Sequence, residues 1–433
     1  MKGGGTRSGS CCGVIPAIQS RREARRMHRG LVQPEAVRRL VLAELGPLPP
    51  RPVPLPEAHG LVLAEPVEAP FDLPRFDNSA MDGFAVRSAD TSSPPTVLRV
   101  VGRSLAGVSS DLSIGPGEAV AIATGAMMPD GADAVAPLEE VEVDGVDLVV
   151  RAPVPSGRHV RRAGEDVAAG RVVLRPGTVL GPGQLAAAAA LGLPQLVVHP
   201  RPRVAIIPTG DEVRPAGSVL EQGEIYDAVS VPLAALVGQI GAVARVQPPA
   251  PDRPRALMGA LRRASQHVDA LITVGGVSVG ERDFISALSG PVAVRTFRVA
   301  LRPARPFAFG RAYGKPLFAL PGNPASALAA FEEFVRPAIL ALLGKPPELR
   351  PAVRAVLSEA LLQQPGTLHL VRATVWCDGD CLRARVAGSQ GAGMIHSLAA
   401  ANAWAVIPPD VAALPAGSEI DVRMLGEPFP SDP

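Results

Sequence analysis

The sequence predicts a multidomain α/β plus β protein: a three-layer α/β central domain with a mostly parallel sheet, β-rich N-terminal lobes and a small C-terminal β-barrel. Three observations carry this. The chain has 433 residues, more than one hydrophobic core usually serves. Between Pro202 and Gly344, strand-length apolar runs alternate with helical segments, the rhythm of a parallel sheet covered on both faces. On either side of that stretch the apolar runs are short, β-branched and punctuated by Gly and Pro. Hydrophobic residues make up 47% and charged residues 19%, which excludes a disordered chain. Aromatic residues are only 3%, so the core must be assembled from Ala, Val, Leu and Ile.

Taken in order, residues 1–30 form a basic segment, with Lys2, Arg7, Arg21, Arg22, Arg25, Arg26 and Arg29 against Glu23 alone. The formal net charge is +2, so the rest of the chain is net acidic, which argues against nucleic acid as a partner. The basic segment reads as a disordered tail; a transit peptide, or initiation at Met27, are the alternatives. A helix is expected over 34–45, with Pro34 near its first position and apolar residues at helical spacing. From Pro47 to about Pro200 two β-rich lobes are expected, with strands at 96–101, 140–143 and 147–150. Strands at 203–208, 243–246, 270–274, 292–297 and 317–320 then alternate with helices at 231–237, 253–264 and 284–288. A long helix at 324–343 follows, closed by Gly344. Beyond Pro346, 371–376 and 382–386 flank Asp378-Gly379, a hairpin signal, and 404–407 and 419–424 are further strands. The expected division is 1–30, 31–201, 202–346 and 347–433.

The longest apolar run, 185–193, lies between Pro182 and Pro194, far short of the roughly 20 residues a spanning helix needs. The arginines of the N-terminus follow its short apolar run rather than precede it, against the order of a signal peptide. Four cysteines make no disulfide framework in a chain of this size. These features predict a cytoplasmic protein with no membrane partner.

Three segments have the makings of an anion site. Pro321-Gly322-Asn323-Pro324-Ala325-Ser326 opens the long helix, with Gly322 for a tight turn, Asn323 as N-cap and Pro324 at N1. Free N–H groups there face an anion with the helix dipole behind them; a well-capped structural helix is the plainer reading. Gly275-Gly276-Val277-Ser278-Val279-Gly280-Glu281-Arg282-Asp283 follows a buried strand, where open α/β sheets bind ligands. It fits neither the Walker A nor the Rossmann pattern. Thr209-Gly210-Asp211-Glu212 follows another strand. Asp82, Asp166, Glu212, Asp252 and Asp283 all sit at Gly- or Pro-rich turns, where carboxylates beside phosphate suit Mg²⁺ and equally suit turns and caps. Arg298, Arg302 and Arg305 punctuate an apolar stretch, where guanidinium forks can grip oxyanions or simply be solvated along an edge. Cys377 and Cys381 flank the Asp-Gly turn without a second pair at zinc spacing. The seven histidines are scattered.

Two longer strings settle the resemblance. They are Phe76-Asp77-Asn78-Ser79-Ala80-Met81-Asp82-Gly83-Phe84-Ala85-Val86 and Thr124-Gly125-Ala126-Met127-Met128-Pro129-Asp130-Gly131-Ala132-Asp133-Ala134-Val135. With Gly164-Glu165-Asp166 and the three segments above, in this order, the chain from about residue 31 onward resembles the MoeA family of molybdopterin molybdenumtransferases and is similar to the gephyrin E domain. The resemblance implies an elongated homodimer with a site shared between subunits. It implies insertion of molybdate into adenylylated molybdopterin with release of AMP, assisted by Mg²⁺. The implied catalytic positions are Asp82, Thr124, Asp166, Glu212, Asp252 and Asp283, with Glu212, Asp252 and Asp283 as metal ligands. The implied cofactor-binding positions are Gly275, Gly276, Ser278, Gly280, Pro321, Gly322, Asn323, Pro324 and Ser326. Arg298, Arg302, Arg305, Arg372 and Ser397 complete that set around the oxyanion. Molybdopterin adenylyltransferase and molybdoenzyme maturation factors are the implied protein partners.

The chain departs from the family in two places. A Lys-Pro-Gly-Lys-Pro string becomes Arg302-Pro303-Ala304-Arg305-Pro306, which keeps the charge and changes its geometry. A Tyr/Phe-Asp-Ser/Thr-Asn string becomes Tyr226-Asp227-Ala228-Val229, which removes an amide. Two alternatives follow: a catalytically weakened paralogue, or a gephyrin-like scaffold that binds molybdopterin without turnover. The full carboxylate set argues for the enzyme. The sister adenylyltransferase consists of the α/β domain alone, and the flanking β regions argue against it.

Overall fold

The computed structural model describes residues 30–108, 111–277 and 290–433. The expectations placed on the basic tail, on a helix at 284–288 and on Ser278, Gly280 and Asp283 lie outside the described residues. The chain divides into two compact units, one of residues 50–198 and one joining the stretch up to Pro49 with residues from His199 onward.

In the second unit, helix α1 (Pro34–Ala43) begins with proline at its first position and buries Val37 and Val41. The α/β sheet is laid down by β1 (Arg203–Pro208), α2 (Ser230–Ile240), β2 (Val243–Val246), α3 (Pro254–Ser265) and β3 (Ala270–Val274). It is completed by β4 (Val292–Arg298), β6 (Pro306–Ala312) and β7 (Lys315–Leu320), while the two-residue β5 (Leu301–Arg302) leaves for another sheet. The strand order is β2-β1-β3-β7-β6-β4. β2, β1, β3 and β7 run parallel, and β6 lies antiparallel between β7 and the edge strand β4. Alternation along the central strands separates the two faces. Val204, Ile206, Ile272 and Phe318 pack with Leu233 of α2, whereas Ala205, Ile207, Leu271 and Leu317 pack with Leu257 and Leu261 of α3.

The helix expected at 324–343 is interrupted. α4 (Pro324–Ala330) passes into a π turn at Phe331–Val335 before α5 (Arg336–Leu342). The π turn buries two consecutive acidic side chains, Glu332 and Glu333, which an unbroken helix would tend to part between core and solvent. Both meet guanidinium groups: Glu333 pairs with Arg38 of α1 at 2.7 Å and with Arg423, and Glu332 pairs with Arg350 at 2.9 Å.

The C-terminal barrel is built from β8 (Ala352–Leu357), β9 (Leu368–Asp378), β10 (Cys381–Val386), β11 (Ala403–Ile407) and β12 (Glu419–Met424). Its order is β9-β10-β8-β12-β11, and β11 pairs back onto β9, which closes it. Ala355, Val375, Ala384, Ala405 and Val422 fill the interior. Cys381 lies opposite Asp378 in the hairpin register and Cys377 opposite Leu382, so the two thiols are one step out of line. β5 adds to β9 in parallel, with Arg302 opposite His369. A short helix, α6 (Ile395–Ala400), was not expected from the sequence.

The unit of residues 50–198 holds a six-stranded sheet. Its order is Ala134–Pro137, Gly83–Val86, Glu118–Ile122, Thr96–Ser104, Asp147–Val150 and Val141–Asp144. Phe84, Val86, Leu98 and Leu148 are its core. Gly83 admits no side chain, because a Cβ would lie 2.1 Å from the Ala136 carbonyl oxygen of the next strand. A separate cluster of Leu61, Leu63, Leu180 and Leu191 packs a helix, Pro182–Ala190, inside the stretch read from sequence as β-rich. Its alanine run is apolar all round and lacks the one-sided periodicity that marks a surface helix.

Candidate functional site

Two cavities lie at the carboxyl end of the parallel strands and beside the barrel. The first, of about 730 Å³, is lined by Thr209, Glu212, Asp252, Gly275, Gly276 and Asn323, among others. Backbone shape makes it. Gly275 and Gly276 have φ of 93° and 69°, a region that side chains disfavour. A Cβ on Gly275 would lie 2.7 Å from the Thr209 Oγ1. The Thr209 hydroxyl donates to the Val274 carbonyl at 3.1 Å, which ties the two loops together. Gly322 stands against Gly275, its added Cβ 3.7 Å from the Gly275 Cα. The three loops named from sequence therefore converge, through the residues of each that are described.

The carboxylates Glu212 and Asp252 both line this cavity. Among the described residues no group of three or more His, Cys, Asp or Glu is placed to hold a metal ion. Two carboxylates with a substrate's phosphate oxygens nevertheless suit Mg²⁺, which takes few protein ligands and keeps the rest for phosphate and water. Asp227, missed as a wall residue, also lines the cavity. Its Oδ1 accepts from the Val229 and Ser230 N–H groups, each at 2.9 Å, and so caps α2. Val229, one of the departures noted in the sequence, is buried in the cluster around Leu233. Asn323 occupies the N-cap position of α4, but its side chain makes no cap bond there, contrary to expectation. The Ala325 N–H instead donates to the Ala392 carbonyl at 3.2 Å. Arg253, rather than Asp252, takes the cap position of α3.

The second cavity, of about 630 Å³, is lined by Arg302, Arg305 and Arg372 together with Gln363, His369 and Gln390. Among the described residues none of the three guanidinium groups has a carboxylate at ion-pair distance. Arg372 is 1% exposed, and burial pushes its pKa down from the ordinary arginine value. Its Nη2 donates to the Ser389 and Gly391 carbonyls at 2.8 and 3.0 Å. Gln390 mimics a backbone partner, accepting from the Arg372 N–H at 2.9 Å and donating to its carbonyl at 3.2 Å. The loop 388–392 is thereby pinned to Arg372. Its Ala392 lines this cavity, and the next residue, Gly393, lines the first. The cavities adjoin through that loop.

Other expected residues fall elsewhere. Arg298 is exposed and lines neither cavity. The Ser326 hydroxyl donates to the Pro303 carbonyl at 2.7 Å, which holds the arginine segment against α4 rather than facing a ligand. Ser397 is 2% exposed and donates to the Met394 carbonyl. Pro321 is buried and does not line the first cavity, whereas Pro324 does. In the unit of residues 50–198, Asp82 and Thr124 meet: the Asp82 Oδ1 accepts from the Thr124 N–H at 2.7 Å and from its hydroxyl at 3.0 Å. The bond from the Thr124 backbone, and then that from its hydroxyl, hold the Asp82 pKa below the ordinary carboxylate value. Asp166 is exposed, and its N–H donates to the Leu73 carbonyl.

A glycine-walled cavity with three carboxylates, joined to a cavity whose guanidinium groups have no carboxylate partner among the described residues, has the makings of a site for phosphate- and oxyanion-bearing ligands. Residues 205–341 match the family model described as a probable molybdopterin binding domain. Residues 32–192 match the MoeA N-terminal region (domain I and II), and residues 354–425 the MoeA C-terminal region (domain IV). The chain belongs to the MoeA family. It is 40% identical over 385 residues to Molybdopterin molybdenumtransferase 2 of Mycobacterium tuberculosis, covering 86% of this chain and 94% of that one. It is 35% identical over 399 residues to the Molybdopterin molybdenumtransferase of Synechococcus elongatus, covering 89% and 98%. A crystal structure of a molybdopterin biosynthesis moea protein from Pyrococcus horikosii superposes with a TM-score of 0.80 at 30% identity, over 92% of this chain and 100% of that one. No helix among the described residues is long and apolar enough to cross a membrane.

Proposed function

We propose that the chain is a molybdopterin molybdenumtransferase that inserts molybdate into adenylylated molybdopterin and releases AMP. The observation that carries this reading is the trio Arg302, Arg305 and Arg372 in one cavity, without carboxylate partners among the described residues, beside the glycine-walled cavity. A scaffold has no use for a buried cation left unpaired. In this reading the second cavity receives molybdate, and the N–H groups of the glycine loops receive the phosphates. Glu212, Asp252 and Asp283 would hold Mg²⁺, which when bound offsets phosphate charge and polarises the adenylyl bond. Asp82, Thr124 and Asp166 belong to the catalytic set supplied by the N-terminal region of a homodimer working in the cytoplasm. Molybdopterin adenylyltransferase would supply the substrate, and molybdoenzyme maturation factors would take the product.

The test is AMP release from adenylylated molybdopterin by the purified full chain, with and without molybdate and Mg²⁺. Molybdate-dependent AMP is expected. Folded dimer that releases none overturns the proposal.

A further inference from the structure

The oxyanion cavity contains one titratable group that neither the scattered histidines nor the family motifs brought forward. His369 lies on β9, directly opposite Arg302 of β5 in the parallel register, and both side chains line the cavity. Neighbours in register share a face. Gln364 links them: its Oε1 accepts from the Arg302 Nη2 at 3.2 Å, and its backbone makes a hydrogen bond with the imidazole. Among the described residues the His369 Nε2 has no hydrogen-bond partner, and it makes no contact with solvent. The ring is therefore held in place from one side, and its second nitrogen is unpaired and shut from solvent at the wall of a cavity that three arginines and three glutamines also line.

We propose that His369 is a further oxyanion-binding residue of this cavity, and that a dianion entering it brings a proton onto the imidazole. The inference rests on the reading of the cavity as an oxyanion site. Burial first, and then the Arg302 charge, push the His369 pKa below the ordinary histidine value, while the Gln364 bond opposes them. Every cation facing the ring acts in the same sense. Arg302 and Arg305 face it from β5 and the segment after it, and Arg372 from β9. β11, whose Ile407 lies opposite His369, carries no charged residue, and Asp410 beyond it is exposed. The remaining polar groups of the wall, Gln363, Gln364 and Gln390, are neutral. With the cavity empty, only the Gln364 bond favours imidazolium, and burial and the Arg302 charge outweigh it. A bound dianion cancels the field of the arginines and attracts the imidazolium itself, so the pKa in the complex lies above that of the free protein. By linkage, anion affinity is greatest at low pH and falls as the pH rises through the pKa of the complex.

The probe is molybdate itself, titrated calorimetrically into the full-length protein from about pH 6 to about pH 8, in two buffers of different ionisation heat. The wild type is expected to take up as much as about one proton per anion, and to lose up to about tenfold in affinity for each pH unit gained within the linked range. In His369→Gln the proton uptake disappears and the slope flattens. A purely structural role would lower affinity equally at every pH and leave proton uptake in place. Wild-type binding without proton uptake, or uptake that survives in His369→Gln, overturns the inference and leaves the oxyanion site standing. The wild-type measurement decides this even if the variant fails to fold. No molybdate binding by the wild type at any pH overturns the site and this inference together.

Discussion

The two cavities share one loop and have opposite construction. The first is made by backbone: glycines at positive φ open it, and its charges are carboxylates, exposed at Glu212 and half-buried at Asp227 and Asp252. The second is made by side chains, and its charges are guanidinium groups, one of them almost wholly buried. The contrast follows from what each would hold. A phosphate that arrives with a divalent cation needs close N–H groups and acids for the metal. A bare oxyanion needs cations, and burying them without acids keeps the site from neutralising itself. The desolvation that lowers the Arg372 pKa is then relieved only when an anion enters.

The division of labour can be broken by changing one cavity at a time. Asp252→Asn removes a carboxylate charge from the first cavity with little change of shape. Molybdate-dependent AMP release should fall about a hundredfold or more, the scale of a lost metal contact, with molybdate affinity within about twofold of wild type. A parallel loss of both in calorimetry and turnover would show that the cavities act as one. Arg372→Met keeps much of the bulk and deletes the charge of the second cavity. The molybdate dissociation constant should rise about tenfold or more, as for a charged hydrogen bond worth roughly 1.5–3 kcal/mol. AMP release should suffer mainly below saturating molybdate, and a loss that saturation does not rescue would place Arg372 in the chemical step instead.

The sequence exposes the first cavity better than the second. Buried strand runs such as Arg203–Pro208 and Ala270–Val274 fall at the expected bounds, because an apolar run between polar turns has one solution in a parallel sheet. The loops after those strands carry their own punctuation, and Thr209, Glu212, Asp252 and Gly275 stand out on it. The second cavity depends on long-range pairing. Arg372 is a single arginine inside an apolar strand, conspicuous only through the family resemblance. Nothing local says that Gln390 will bond its backbone or that Arg302 will lie opposite His369. The π turn is hidden for the same reason: Glu332 and Glu333 look like a solvated pair until Arg38, Arg350 and Arg423 arrive from distant elements.

The first cavity's wall offers a finer test at Val229, where the family resemblance implies an amide and which is 4% exposed. It packs with Leu233 and Val237 of α2. If the position has been given over from ligand contact to packing, Val229→Asn should cost about 1–3 kcal/mol in chemical denaturation, the range for a buried polar group without a partner. A neutral change would mean that the amide finds a partner at the cavity wall. The first cavity would then retain side-chain recognition and differ less from the second.

The smallest effect is expected outside both cavities, at Asp82, and it isolates hydrogen bonding from the burial and cation field that act on His369. The Asp82 pKa is lowered first by the Thr124 N–H and then by its hydroxyl. Because the folded pKa is depressed, the stabilising contribution is present above the unfolded pKa and is lost as the pH falls through the folded one. Thr124→Val deletes the hydroxyl and keeps the N–H. Carboxyl NMR titration should show the Asp82 pKa moving up yet remaining below its ordinary value. A pKa that does not move assigns the whole effect to the backbone. One that returns to the ordinary value assigns it to the hydroxyl. Either way the measurement gives the size of a hydrogen-bond shift in water-exposed surroundings, against which the proton taken up at His369 can be judged.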